Sequence, residues 1–223
     1  MVRGLSVRLL ALVAMTCVVA TRTAQCQSFV SQHLPSGAVV VDVEEDWELT
    51  VGEADPNVTA PQVTTAMSPN NGLDSYHAIF NLNHQALETF SPGGMQLQLW
   101  NGETPVAHNR LCPDDVLGTD GEVITWTQAM NLSNNFLYFR IVNGAGETWG
   151  DFGNDRLLTD RINVSMNNLN NYDPAVSLTN SGAVYAANRV ESLVLKRVRL
   201  RTSDNQIYSF NLDFPVQQST SGQ

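Results

Sequence analysis

The sequence predicts an all-β fold, an antiparallel β-sandwich of jelly-roll or concanavalin-like type. Three observations carry the prediction. Apolar and polar residues alternate over short runs, the period of a strand with one buried face. Turn pairs such as Asn71-Gly72, Asn101-Gly102, Asp120-Gly121 and Asn143-Gly144 break the chain at intervals of roughly 8–15 residues. No long window keeps a 3.6-residue period with helix caps at its ends.

The elements follow in order. Residues 21–37 are polar and read as a flexible N-terminal arm. In 39–51, Val39, Val41, Val43, Trp47, Leu49 and Val51 share one face, and Asp42, Glu44, Asp46 and Glu48 share the other. Further strands are expected over 76–82, 95–100, 122–130, 136–142, 162–166, 183–186, 190–202 and 206–214, several of them rich in β-branched or aromatic residues. The segment 155–169 comes nearest to a helical pattern, and Asn167, Asn168, Asn170 and Asn171 would end such a helix early. The expected layout is one sandwich over 38–215 with a short polar tail at 216–223. Within it, the run Arg197, Arg199, Arg201 on one strand face complements the acidic face of 39–51. That complementarity makes the two strands expected neighbours in one sheet.

Of 223 residues, 43% are hydrophobic and 15% charged, enough apolar material for a core. The formal charge is −10. Such a chain repels phosphate at long range, which argues against nucleic acid or anionic lipid as partners. Residues 1–20 read as a secretory signal peptide. Arg3 and Arg8 precede the apolar-to-small run from Leu9 to Ala20, which is too short to span a bilayer. A secreted protein, extracellular or periplasmic, is therefore expected. Cys26 and Cys112 are the cysteines left after cleavage. A disulfide between them and a pair of free thiols are both open on the sequence. The N-x-S/T sites at Asn57, Asn131 and Asn163 are no more than an Asn-rich chain produces by chance.

No nucleophile elbow, phosphate-binding loop, zinc-protease helix or C-x-x-C pair occurs, so no catalytic residue is assigned. Glu44, Asp46 and Glu48 have the spacing of paired carboxylates on one strand face, which a glycoside hydrolase or lyase needs. An acidic solvent-facing strand has the same spacing. The segment from Asn143 to Asp155 is more distinctive. It is glycine-rich and holds Trp149, a flat platform for a sugar ring, beside Asp151 and Asn154. Asp151, Asn154 and Asp155 also offer the hard oxygen donors that calcium takes, although their spacing is not that of an EF-hand. Tyr185 and Asn188 form a second candidate ligand pair, by stacking and directed hydrogen bonds.

Trp126 and Met130, then Phe139, Ile141, Asn143 and Gly144, then Thr148-Trp149-Gly150 with Phe152-Gly153, then Ala187-Asn188-Arg189-Val190 form a block. This block resembles a pattern in uncharacterised secreted bacterial proteins of one compact domain. In architecture the chain is similar to the jelly-roll sandwiches of lectins and carbohydrate-binding modules. The resemblance implies export and one compact domain, and the candidate residues Trp149, Asp151, Asn154, Tyr185 and Asn188 themselves point to a non-catalytic role in binding extracellular polysaccharide or cell-surface glycan. The alternatives are a structural or adhesive surface protein that meets other proteins at a sheet edge, and an enzyme using paired carboxylates.

Overall fold

The computed structural model describes residues 28–53, 61–83, 94–111, 117, 119–154 and 156–216. In chain order its strands are β1 (Val40–Val51), β2 (Gln62–Met67), β3 (Tyr76–Leu82), β4 (Met95–Asn101), β5 (Thr104–Leu111) and β6 (Val123–Ser133). There follow β7 (Phe136–Gly146), β8 (Gly150–Phe152), β9 (Thr159–Asn163), β10 (Gly182–Tyr185), β11 (Val190–Thr202) and β12 (Ile207–Pro215). Two short helices join them, α1 (Phe29–His33) and α2 (Pro174–Asn180).

The strands form two antiparallel sheets packed face to face, the sandwich that the alternation predicts. The larger runs β12-β11-β1-β6-β7-β8, with β9 also paired to β7. The smaller runs β10-β2-β3-β4-β5. Between them, Trp47 and Trp126 stack at 6.3 Å and 9°, and Phe80 of the facing sheet meets Trp126 at 6.0 Å. Such aromatic pairs add to the transfer free energy of the area they bury.

The expected pairing of the acidic and basic strands is present. β1 pairs β11 with Asp42 opposite Arg201, Glu44 opposite Arg199 and Asp46 opposite Arg197. Arg201 reaches Asp42 at 3.0 Å, and Arg199 reaches Glu44 at 2.8 Å. Arg197 donates its Nε–H to Asp46 at 2.6 Å. Lys196 completes the ladder with Asp213 at 2.8 Å and Glu48 at 3.7 Å. The partly exposed arginine pairs contribute up to about 1 kcal/mol each.

Several elements differ from the sequence expectation. Residues 28–37 are not a free arm. Ser28 caps α1, and Val30 and Leu34 are buried in the core. At the other end Val216 is buried and its amide donates to the Leu193 carbonyl at 2.8 Å. β5 was not expected because it is an edge strand, with Pro105 and exposed Val106 in place of a clean apolar alternation. The strand expected at 162–166 lies at Thr159–Asn163, and α2 occupies Pro174–Asn180 behind an Asp173 cap. The Asn-rich stretch is used locally. Asn170 accepts from the Val40 amide at 2.9 Å and donates to the Ala38 carbonyl at 2.8 Å, acting as a strand partner where β1 begins. Among the described residues no helix is long and apolar enough to cross a membrane.

Candidate functional site

The glycine-rich segment that the sequence singles out is shaped by packing. Asn143-Gly144 is no turn but lies within β7. A Cβ on Gly144 would collide with the ring of Phe152, which folds back over the strand from β8. Gly153, at φ +93°, lies against β7, where an added Cβ would sit 3.0 Å from the Asn143 backbone and a side chain has little room. Trp149 is half-buried, packed against the core and edge-on to Phe152 at 6.4 Å. Its indole is therefore engaged with the protein on one side.

Asp151 and Asn154 are exposed on the outer face of the seven-stranded sheet, but they line different grooves. One groove, of about 490 Å³, holds Asp151 with Asp46, Asn143, Arg197 and Arg199. The other, of about 700 Å³, holds Asn154 with Arg140, Arg156 and Arg161. Asp155, the third oxygen donor of the calcium expectation, lies outside the described residues, as do Cys26, Cys112 and the signal at 1–20. Among the described residues no three His, Cys, Asp or Glu side chains cluster around a point.

Tyr185 and Asn188 sit elsewhere. Tyr185 is half-buried at the end of β10, the edge of the five-stranded sheet. Asn188 is exposed in the 3₁₀ turn Ala187–Arg189, which Ala186 enters at φ +50°. β11, β1 and β6 lie between that turn and β7, about 14 Å of sheet at the usual strand spacing. The five candidate residues thus do not make one site. Glu44 and Asp46 are held by arginines and Glu48 by Lys196, so these carboxylates serve the ladder.

A more coherent surface lies on the outer face of the five-stranded sheet. In β4, Met95, Leu97 and Leu99 are buried in the core, which puts Gln96, Gln98 and Trp100 on the opposite face, where Gln98 and Trp100 are half-buried and Gln96 is buried at 6% exposure. These three are bonded in series. The Trp100 Nε1–H donates to Gln98 Oε1 at 2.9 Å, and Gln98 Nε2–H donates to Gln96 Oε1 at 2.5 Å. The half-buried indole is thereby fixed in rotation. On one side β5 places His108 opposite Gln98 and Pro105 opposite Trp100. On the other, β3 places His77 opposite Trp100 and Asn81 opposite Gln96. His77 Nδ1 lies 2.9 Å from the Ser75 carbonyl, which only accepts, so the proton sits on Nδ1. Asn81 is 4% exposed, and its Nδ2 has no hydrogen-bond partner among the described residues. Gln96, Gln98, Trp100, Pro105, Ala107 and His108 line a groove of about 260 Å³. The alternation Gln96, Gln98, Trp100 is readable in the sequence of the expected strand 95–100, but it carries no signal that distinguishes it from an ordinary polar strand face.

One further carboxylate sits between the sheets. Glu45 faces inward from β1 and is 0% exposed. Its Oε1 accepts from the Ser177 hydroxyl at 2.6 Å and the Tyr172 hydroxyl at 2.8 Å. Its Oε2 accepts from Gln128 Nε2 at 2.7 Å and Trp47 Nε1 at 3.0 Å. Burial raises its pKa above the usual 4.5, against the lowering effect of the four donors. Burial first, and then the Glu45 charge, holds Tyr172 protonated far above its ordinary range. Gln128 in turn accepts from Thr65 of the opposite sheet at 2.8 Å. The network ties α2 and both sheets together.

No protein-family model, curated protein or solved structure matches the chain, and the resemblance to secreted bacterial proteins stays an expectation.

Proposed function

We propose that the protein is an exported, non-catalytic β-sandwich that binds neutral polysaccharide on the outer face of the five-stranded sheet, with Trp100 as the platform. The observation that carries this reading is the bonded series Trp100–Gln98–Gln96 beside His108. A sugar ring presents an apolar C–H face and a rim of hydroxyls. An indole held in one orientation meets the face, while amides and an imidazole supply donors and acceptors for the rim. The groove of about 260 Å³ is smaller than the roughly 300–1,000 Å³ of pockets that enclose whole ligands. It suits one ring of a chain whose remainder lies in solvent. The net charge of −10 favours an uncharged polymer.

The test is a glycan array followed by calorimetric titration with the neutral oligosaccharides that bind. Trp100→Ala should abolish binding, and Gln98→Ala should weaken it about tenfold, roughly 1.4 kcal/mol, with melting temperatures near the parent's. If neutral glycans fail to bind, or if Trp100→Ala binds like the parent, the proposal falls.

A second reading, adhesion through a sheet edge, has its own observation. β12 ends the seven-stranded sheet and exposes Ile207 at 67% and Phe214 at 49%. An open edge with apolar side chains is a template for strand pairing. Sedimentation over a range of concentrations should then show self-association that Phe214→Lys removes. A monomer at all concentrations, with no partner retained through this edge, speaks against it.

A further inference from the structure

On the outer face of the seven-stranded sheet, most arginines are matched. Arg197, Arg199 and Arg201 each meet a carboxylate of β1. Arg156 and Arg161 do not: neither forms an ion pair with a described residue, and both are exposed. The two converge on one groove of about 700 Å³. Arg140 lines it as well. Its Nη2 lies 4.0 Å from Asp42, a carboxylate that Arg201 already holds at 3.0 Å. Its Nε is buried without a hydrogen-bond partner among the described residues.

Strand register builds this convergence. β7 pairs β9 with Tyr138 opposite Arg161 and Arg140 opposite Thr159, and β6 sets Asn131 opposite Tyr138. Arg161 is held in place by aromatics. Its guanidinium carbon lies 4.9 Å from the Phe136 ring centroid and 5.9 Å from that of Tyr138, and Nη1 donates to the Tyr138 hydroxyl at 3.4 Å. Stacking fixes the plane of the guanidinium and leaves its N–H edge for a ligand. Arg156 enters from the 3₁₀ turn Arg156–Leu158 that leads into β9. One carboxylate, Asp160, also lines the groove.

We infer that this groove is an oxyanion-binding site in which Arg140, Arg156 and Arg161 hold a sulfate, phosphate or carboxylate group. Each guanidinium offers paired N–H donors that match two oxygens of such a group. The acidic charge of the chain as a whole does not prevent this. It is screened over about 8 Å at physiological ionic strength, so the nearest charges decide. The site rests on different residues from the Trp100 surface, which lies on the other sheet, although its Asp160 is near enough to His108 of that surface to feel the imidazole charge.

The test is calorimetric titration with sodium sulfate, sodium phosphate and sodium glucuronate at constant ionic strength, joined to ¹H–¹⁵N spectra of the arginine side chains. Saturable binding with shifted Arg140 and Arg161 Nε–H signals is expected. Arg156→Ala and Arg161→Ala should each weaken it about tenfold, and the double variant should lose it. Trp100→Ala should leave it unchanged. Tighter binding of glucuronate than of either inorganic ion points to a carboxylate borne on a sugar. The reverse order points to a free or esterified tetrahedral anion. Saturation by none of the three, or binding that survives the double variant at full strength, overturns the inference. Arg156 is exposed and unpaired among the described residues, so Arg156→Ala keeps the test valid even if Arg161→Ala disturbs the aromatic stack.

Discussion

Ser177 of α2 donates its hydroxyl to Glu45 of β1 at 2.6 Å, and so bonds a seven-residue helix to a carboxylate buried between the sheets. The relationship sets an asymmetry across the carboxylate. Two hydroxyls, which donate or accept, face Oε1. Two N–H groups, which only donate, face Oε2.

From that asymmetry, Glu45→Ala and Glu45→Gln should behave very differently. Alanine leaves four buried donors without an acceptor and opens a void, and should cost more than about 3 kcal/mol. Glutamine keeps an oxygen for Trp47 and Gln128. Its amide then donates to the Tyr172 and Ser177 oxygens, whose hydroxyls rotate, and no charge is buried. Its cost should stay within about 1 kcal/mol at pH 7. Urea unfolding of both variants checks this. Equal losses would mean that the negative charge itself is required.

A pH dependence follows from the raised carboxylates. Burial lifts Asp160 from its ordinary 3.8 to about 6, with the His108 charge pulling the other way. Glu45 is raised by burial as well. In both cases the folded chain holds the proton more tightly than the unfolded chain. The folded state therefore carries more bound protons between about pH 4 and 6, and stability falls as pH rises through that window. Below it both states are protonated and the cost is absent. Asp160→Asn should then match the parent near pH 3, exceed its stability at pH 7 and show a flatter profile between. Unfolding midpoints measured across this range test the sign. A variant less stable than the parent at pH 7 would mean that the ionised Asp160 has a stabilising role.

Much of this architecture was legible because period two is a local property. Asp42, Glu44 and Asp46 on one strand and Arg197, Arg199 and Arg201 on another announce their pairing by charge alone. The same alternation sends Glu45 inward beside Val43 and Trp47, yet an acid on an apolar face reads as noise until its partners are known. Those partners, Gln128, Tyr172 and Ser177, lie 83, 127 and 132 residues away. The convergence of Arg140, Arg156 and Arg161 depends in the same way on the β7–β9 register. The glycine-rich segment misled for the opposite reason. Its glycines answer to Phe152 and to a close backbone contact, and composition does not distinguish that need from room for a ligand.

The salt ladder should contribute modestly. Arg199 reaches both Glu44 at 2.8 Å and Asp46 at 3.4 Å, and all three are partly exposed. Arg199→Met keeps the length of the stem and removes the charge, leaving two carboxylates nearer to like-charge repulsion. A loss of about 1 kcal/mol is expected at low ionic strength, and it should shrink as salt is added. A loss independent of salt would assign the effect to packing of the arginine stem.

Gly144→Ala is the sharpest packing test. Gly144 lies opposite both Trp126 and Phe152, and an added Cβ falls within the Phe152 ring. The ring has limited room to yield, because Trp149 lies edge-on to it and Gly153, the next residue, sits where even an added Cβ would meet the Asn143 backbone at 3.0 Å. Accommodation requires β8 to lift from β7, which strips cover from the core and moves Trp149 outward. Overpacking of this kind costs about 1–3 kcal/mol. Gly144→Ala should therefore lower the melting temperature and red-shift the tryptophan emission, read in a background where Trp100 is replaced by Phe, and a further Trp149→Phe change should remove that shift. The double variant Gly144→Ala/Phe152→Leu should recover part of the loss, since the smaller side chain vacates the space that the methyl needs. If Phe152→Leu adds its own penalty in full, the two positions do not share that space.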